Sequence, residues 1–193
     1  MPLQRFVDAL NSVPYEYFGN TERLFTYELY YQLRIMIQNN PFDENNIVLD
    51  AELPKRLLSQ QQAQALGLLP LNGLMSPDFI IHERENGNNQ LLVSEVKAER
   101  YLNQEKTIKD INKLISLRHN YNFQNGVFVA ININMQKIRD YIHNLNPNPL
   151  PTDLQIMWPN NIDHSLVNID IYTKEYYHSP WEHNTLLEII NNP

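Results

Sequence analysis

Residues 77–82 read Pro-Asp-Phe-Ile-Ile-His, and residues 91–97 read Leu-Leu-Val-Ser-Glu-Val-Lys, with a polar segment containing Asn-Gly between them. An Asn-Gly pair between two apolar runs predicts a β-hairpin. Successive side chains of a strand point to opposite faces, so Glu95 and Lys97 share a face. Counting outward from the turn places Asp78 opposite the segment from Glu95 to Lys97, nominally level with Lys97. We therefore expect two carboxylates and an amine to meet at one end of an apolar hairpin.

Charges on a hairpin usually lie on a solvent-exposed face, but two features of the second strand favour a buried site. Leu91 and Val93 share the face of Glu95 and Lys97, so this face is apolar and becomes charged only at one end. The opposite face is small or apolar throughout, which is typical of a strand covered on both sides. Burying charged groups is unfavourable unless they are paired or bind a metal ion.

The segment 21–38 carries the strongest helical pattern in the chain. Steps of about 100° per residue place its apolar residues in one stripe, namely Phe25, Leu29, Leu33, Met36 and Ile37. Glu22 falls inside this stripe at its N-terminal end, whereas Glu28 lies to one side. A glutamate on a core-facing stripe is either favoured by the helix dipole or belongs to a buried polar site. The acids of the hairpin favour the second interpretation.

The whole pattern predicts a single α/β domain over residues 1–193. Helices are expected at 3–13, 21–38, 54–65, 107–121 and 135–145, and strands at 47–49, in the hairpin, and at 126–131, 154–157 and 166–172. Irregular segments are expected at 67–73, at 147–151 and in an aromatic C-terminal tail. The order helix, three strands, helix, strand, then additions, indicates a mixed sheet with helices on its faces.

Composition limits the classes of function. The chain of 193 residues can bury about 70% of its unfolded surface, and its net charge of −7 weighs against binding nucleic acid through bulk charge. It contains no cysteine, which excludes disulfides and thiolate metal sites and fits a cytoplasmic protein. No apolar run approaches the roughly 20 residues of a membrane span, and the N-terminus shows no secretory signal pattern. We expect no membrane partner.

The hairpin charges suit the hydrolysis of a phosphodiester. That reaction needs a hard cation, a nucleophilic water and positive charge near the developing oxyanion. Carboxylates such as Asp78 and Glu95 suit Mg²⁺ or Mn²⁺, and Lys97 can orient the water or stabilise charge.

Pro77-Asp78, followed after a hairpin by Glu95-Val96-Lys97, resembles the motif of the PD-(D/E)XK nuclease superfamily. The resemblance covers residues 21–133, and it implies a restriction endonuclease-like core of helix, three-strand meander, helix and strand. Residues 134–193 are left as a C-terminal helix, strands and an aromatic tail.

The resemblance also implies roles for individual residues. Asp78 and Glu95 would ligate Mg²⁺ or Mn²⁺ with the backbone carbonyl of Val96. Lys97 would assist the attacking water, and Glu22 would complete the pocket as the acid of the first helix. Glu28 is the alternative for that acid if the helix phase is different.

The expected function is therefore a metal-dependent nuclease acting on nucleic acid, with DNA the expected substrate and a homodimer an expected assembly. The alternative is a non-catalytic interaction or nucleic-acid-binding module of the same fold. A third interpretation is a metal-dependent hydrolase of small phosphoesters.

Other polar residues near the motif are predicted to be structural. Asp110 and Lys113 are three apart on one helix face and are predicted to form a surface ion pair. Arg118, with neighbouring lysines, gives a weak signal for a basic rim. His82 lies on the Asp78 side of its strand, where satisfied polar packing is the favoured interpretation.

Overall fold

The computed structural model describes residues 1–19, 21–42, 46–51, 76–83, 89–143 and 168–192. The predicted helix at 54–65, the irregular segments at 67–73 and 147–151, the hairpin turn and the strand at 154–157 lie outside these residues.

The described residues form five helices and six strands. The helices are α1 (Pro2–Ser12), α2 (Glu22–Asn39), α3 (Gln104–Tyr121), α4 (Met135–His143) and α5 (Leu186–Asn191). The strands are β1 (Ile47–Ala51), β2 (Phe79–Glu83), β3 (Gln90–Ala98), β4 (Asn125–Ile131), β5 (Asp170–Lys174) and β6 (Glu182–Thr185). Short 3-10 turns precede α2 and α3.

The six strands form one mixed sheet in the order β1-β2-β3-β4-β5-β6. Strands β1, β2 and β3 are antiparallel neighbours, β4 and β5 extend the sheet in parallel with β3, and β6 closes it antiparallel to β5. The predicted mixed α/β class is confirmed. The elements α2, β1, β2, β3, α3 and β4 follow one another in the order read from the sequence.

The sheet is covered on both faces, as the apolar strands predict. On one face, α3, α4 and α5 pack over residues such as Val93 and Phe128. On the other, α1 and α2 pack over residues such as Leu92 and Val96. Alternate residues of β3 therefore enter different cores, and fully burying each large side chain contributes about 1.5–3 kcal/mol.

Helix α2 begins where its N-cap predicts. The Thr21 side chain accepts a hydrogen bond from the amide of Leu24 at 3.3 Å, which satisfies one of the unpaired amides of the first turn. Phe25, Leu29 and Leu33 are fully buried, so the predicted helix phase is correct. This phase turns Glu22 toward the sheet.

The register of β2 and β3 differs from the turn-centred count. Phe79 lies opposite Ser94, and the pairing is irregular between Ile81 and His82. Asp78 therefore lies closer to Glu95 than to Lys97, but still opposite the segment from Glu95 to Lys97, as expected, and its side chain contacts the Val96 amide. Such an irregularity re-aims neighbouring side chains. Leu91, expected to share the face of Val93, packs instead against the cluster formed with α1 and α2.

The C-terminal region is more regular than predicted. The strand expected at 166–172 is β5, and the expected aromatic tail contains β6 and α5. The Thr185 side chain accepts a hydrogen bond from the Glu188 amide, and the Glu188 side chain accepts one from the Thr185 amide. These two bonds form a capping box that starts α5. This Thr-x-x-Glu pattern before an apolar run is the signal that could have identified the helix.

Candidate metal centre

The candidate site lies where β2 begins and β3 continues beyond it. The amide of Asp78, directly before β2, donates a hydrogen bond to the carbonyl of Ser94 at 3.0 Å. Beyond it, side chains satisfy alternate amides of β3. The Asp78 Oδ2 atom accepts a hydrogen bond from the Val96 amide at 2.6 Å, and Glu22 Oε2 accepts one from the Ala98 amide at 2.9 Å. Both carboxylates are thereby held against the end of β3.

The ammonium group of Lys97 lies among four carboxylates. Its Nζ atom is 3.7 Å from Glu22 Oε1, 3.7 Å from Glu95 Oε2, 3.9 Å from Asp110 Oδ2 and 4.0 Å from Asp78 Oδ2. The site thus brings together the sequence motif (Asp78, Glu95 and Lys97) and Glu22 of α2. Asp110 of α3 is an additional acid.

Lys113 adds a second ammonium group to the site. Its Nζ contacts Glu95 Oε1 and donates a hydrogen bond to the carbonyl of Ser76 at 2.6 Å. The side chains of Asp110 and Lys113 are only 14% and 17% exposed. The prediction of an ordinary surface ion pair was wrong, because α3 packs on the sheet with this part of its surface toward the end of β3.

A sequence signal for Asp110 existed. Steps of about 100° place Asp110 between Leu114 and Leu117 on the apolar stripe of α3, as they place Glu22 on the stripe of α2. Both leucines are fully buried. Lys113 lies at the margin of the same stripe, next to Leu117.

Burial dominates the electrostatics of the acids. The Glu95 side chain is 2% exposed, and desolvation, followed by repulsion from Asp78, raises its pKa to about 8 despite the nearby lysines. Desolvation also raises the pKa values of Asp78 and Asp110. For Lys97, desolvation favours the neutral amine, but the surrounding carboxylates outweigh it, and its pKa is raised. Lys97 therefore remains a cation at neutral pH.

The charges of the site are unbalanced without a further cation. Within the described part of the chain, it contains four carboxylates and two ammonium groups, a formal charge of −2 when all six are ionised. A divalent cation would neutralise this charge.

The donor set fits Mg²⁺ or Mn²⁺. Among the described residues, no three or more His, Asp or Glu side chains form a group that could hold a metal ion by themselves. However, Mg²⁺ commonly uses only one or two carboxylates and keeps waters or substrate phosphates as its other ligands. Asp78 and Glu95 supply two carboxylates. The N–H and C=O of one strand residue point to the same side, so the Val96 carbonyl faces the side on which its amide meets Asp78.

Glu28, the alternative helix acid, lies away from this site. Its Oε1 atom accepts a hydrogen bond from Gln32 at 2.7 Å, and it raises the pKa of Tyr17. The acid that α2 contributes to the candidate site is Glu22.

Two other polar residues considered near the motif, Arg118 and His82, have structural roles. Arg118 is not part of a basic rim, because it is buried and donates to the carbonyls of Phe123 at 3.1 Å, Gln124 at 2.8 Å and Asn168. His82 Nε2 lies 2.9 Å from Asp50 Oδ2 on β1, which agrees with the favoured interpretation of satisfied polar packing.

Comparisons with known proteins add no relative. No protein-family model matches the chain, and neither a curated protein nor a solved structure gives a significant match. Among the helices of the described residues, none is long and apolar enough to cross a bilayer.

Proposed function

We propose that this protein is a nuclease of the PD-(D/E)XK type that hydrolyses phosphodiester bonds of nucleic acid, with DNA the expected substrate, using Mg²⁺ or Mn²⁺. The observation that carries the proposal is the convergence of Asp78, Glu95 and Lys97, whose Nζ lies within 4.0 Å of both carboxylates. The order of α2, β1 to β3, α3 and β4 supports a restriction endonuclease-like core.

Asp78, Glu95 and the Val96 carbonyl would hold the metal ion. When bound, the ion would supply Lewis-acid stabilisation and lower the pKa of a coordinated water. The two carboxylates converge from neighbouring strands, because the Val96 amide holds Asp78 against β3, where Glu95 is buried.

Lys97 would act as a hydrogen-bond donor. Its raised pKa keeps the amine protonated, so it is suited to orienting a water or stabilising a phosphate oxygen, and unsuited to accepting a proton. Glu22 has a positioning role, because it contacts the ammonium of Lys97 and holds the following amide, that of Ala98.

The second candidate is a non-catalytic interaction or nucleic-acid-binding module of the same fold. Within this alternative, the net charge of −7 favours an interaction module, since phosphate backbones are attracted by positive surfaces. Hydrolysis of a small phosphoester is a third candidate and needs no extended basic surface.

An incubation with plasmid DNA and with RNA, in Mg²⁺, Mn²⁺ or a chelator, tests the proposal. We expect metal-dependent cleavage by the wild type and a loss of about 100-fold or more in Lys97→Ala. Lys106→Ala is the matched control, because Lys106 lies exposed on α3, and it should cleave at the wild-type rate.

Two outcomes would contradict the nuclease proposal. If the folded wild type cleaves neither nucleic acid under any of these conditions, the binding module becomes the favoured function. If it hydrolyses only a small chromogenic phosphodiester, the third candidate is favoured.

A further inference from the structure

Both oxygens of the Glu95 carboxylate have a protein cation as neighbour. Lys97 Nζ is 3.7 Å from Oε2, and Lys113 Nζ contacts Oε1. A carboxylate that bridges two metal ions offers one oxygen to each. In this site, the oxygen that a second ion would need is Oε1, and it already contacts the ammonium group of Lys113.

Lys113 is held in this position from two directions. Besides Glu95, it binds the carbonyl of Ser76 at 2.6 Å, directly before the Pro77-Asp78 pair. It thereby connects the segment carrying Asp78 to the strand carrying Glu95. A side chain with two fixed partners that is only 17% exposed is poorly placed to swing out to solvent.

The charge of the site also limits the number of divalent cations that it can hold. With a formal charge of −2 from its six ionised groups, one divalent cation gives neutrality. Two divalent cations would leave an excess of +2 beside the buried Glu95, and uncompensated buried charge is strongly unfavourable.

Building on the nuclease proposal, we infer that the site takes a single divalent cation per chain, with the Lys113 ammonium supplying the positive charge that a second metal ion would otherwise provide. Lys113 is then a positioning residue for Glu95 and also limits the number of metal ions. Lys97 keeps its separate role as donor to water or phosphate.

Calorimetry with Mn²⁺ on the full chain, at mildly alkaline pH where protons compete least for the carboxylates, tests this inference. We expect the wild type to bind one Mn²⁺. In Lys113→Gln, loss of the repelling charge should tighten Mn²⁺ binding by about tenfold or admit a second ion, while metal-dependent cleavage falls. Lys113→Arg keeps the charge and should retain one Mn²⁺ with near wild-type affinity. Lys106→Gln, on the exposed side of α3, is the control and should match the wild type in both measurements.

The opposite results would overturn the inference. Binding of two Mn²⁺ ions per wild-type chain would overturn it, whatever the variants show. Unchanged or weaker Mn²⁺ binding by folded Lys113→Gln would also do so, because a purely structural lysine gives that result. If the wild type cleaves nucleic acid and Lys97→Ala does not, these results leave the nuclease proposal intact. A wild type that binds no Mn²⁺ would remove both.

Discussion

The carboxylate of Glu22 and the backbone amide of Ala98, 76 positions apart in the chain, are joined by a hydrogen bond of 2.9 Å. This bond fastens the first turn of α2 to the end of β3, beside Lys97. The start of a helix and the end of a strand are thus fixed relative to each other at the candidate site.

Two substitutions of Glu22 distinguish the effect of its hydrogen bond to the Ala98 amide from the effect of its negative charge. Glu22→Ala leaves the Ala98 amide without its acceptor, and we expect the free energy of unfolding to fall by about 1–3 kcal/mol. Glu22→Gln retains an acceptor and should lose less. Glu105→Ala is the control, because Glu105 also lies in the first turn of a helix but is exposed. Denaturant titrations measure all three, and equal losses for Ala and Gln would contradict the bond's structural role.

The pKa of Glu95 predicts how the metal-free protein responds to pH. Its pKa rises from the ordinary 4.5 to about 8 on folding, so the folded state holds this proton more tightly than the unfolded state. The resulting stabilisation is complete below pH 4.5 and is lost as pH rises through about 8. In Glu95→Gln, which cannot ionise, this loss should be absent.

Denaturation in chelator at about pH 5 and about pH 8.5 measures the difference between wild type and Glu95→Gln. We expect the wild type to lose on the order of a few kcal/mol relative to the variant between these values. A difference that stays constant, or changes in favour of the wild type at high pH, would show that Glu95 is already ionised in the folded protein at low pH.

Metal binding should stabilise the protein through Asp78. At 100 times its dissociation constant, Mg²⁺ bound only to the folded state adds about 2.7 kcal/mol. We expect this increase in the wild type and its loss in Asp78→Ala. Asp140→Ala, an exposed aspartate on α4, should respond like the wild type. Thermal unfolding with and without Mg²⁺ measures the effect, and an equal increase in Asp78→Ala would remove Asp78 as a ligand.

Gly126 is predicted to be intolerant of a side chain. A Cβ atom there would lie 2.7 Å from Ile169 Cδ1 and 2.8 Å from Arg118 Cδ. Ile169 is fully buried, and the guanidinium of Arg118 is held by backbone carbonyls, so neither can easily move. Gly126→Ala should destabilise by about 1–3 kcal/mol.

Gly19→Ala is the matched control for this change, since a Cβ at that position meets nothing within 4 Å. Its stability should stay within about 1 kcal/mol of the wild type. If denaturant titrations gave equal stabilities for the two alanine variants, close packing at Gly126 would not be the reason for the glycine.

Much of the fold could be predicted because its signals are local. The two-residue period of β3, from Leu92 onward, and the stripe of α2 each depend on neighbours within a few positions, and both are observed. The inward position of Glu22 followed from the same stripe. The helix α5 was missed, although its Thr185-x-x-Glu188 cap was present in the sequence.

The rest depended on how the elements pack. The hairpin register could not be counted from the turn, since an irregularity between Ile81 and His82 changes the alignment. Asp110 and Lys113 were interpreted as a surface pair because their spacing on α3 does not say which neighbour the helix meets. The weak signal for a basic rim that included Arg118 is wrong for the same reason, because Arg118 is buried against backbone carbonyls.

By itself, the sequence determined that Asp78, Glu95 and Lys97 belong to one hairpin end and that Glu22 faces inward, because side-chain periodicity in a strand or helix follows from backbone geometry alone. Only the tertiary structure decided that Asp110 and Lys113 join them, that Glu28 does not, and that Glu95 is enclosed. Those facts depend on the packing of α2 and α3 against the sheet, and packing brings together residues whose separation along the chain carries no periodic signal. The formal charge of −2 that the six groups of the site carry when all are ionised is also a result of that packing.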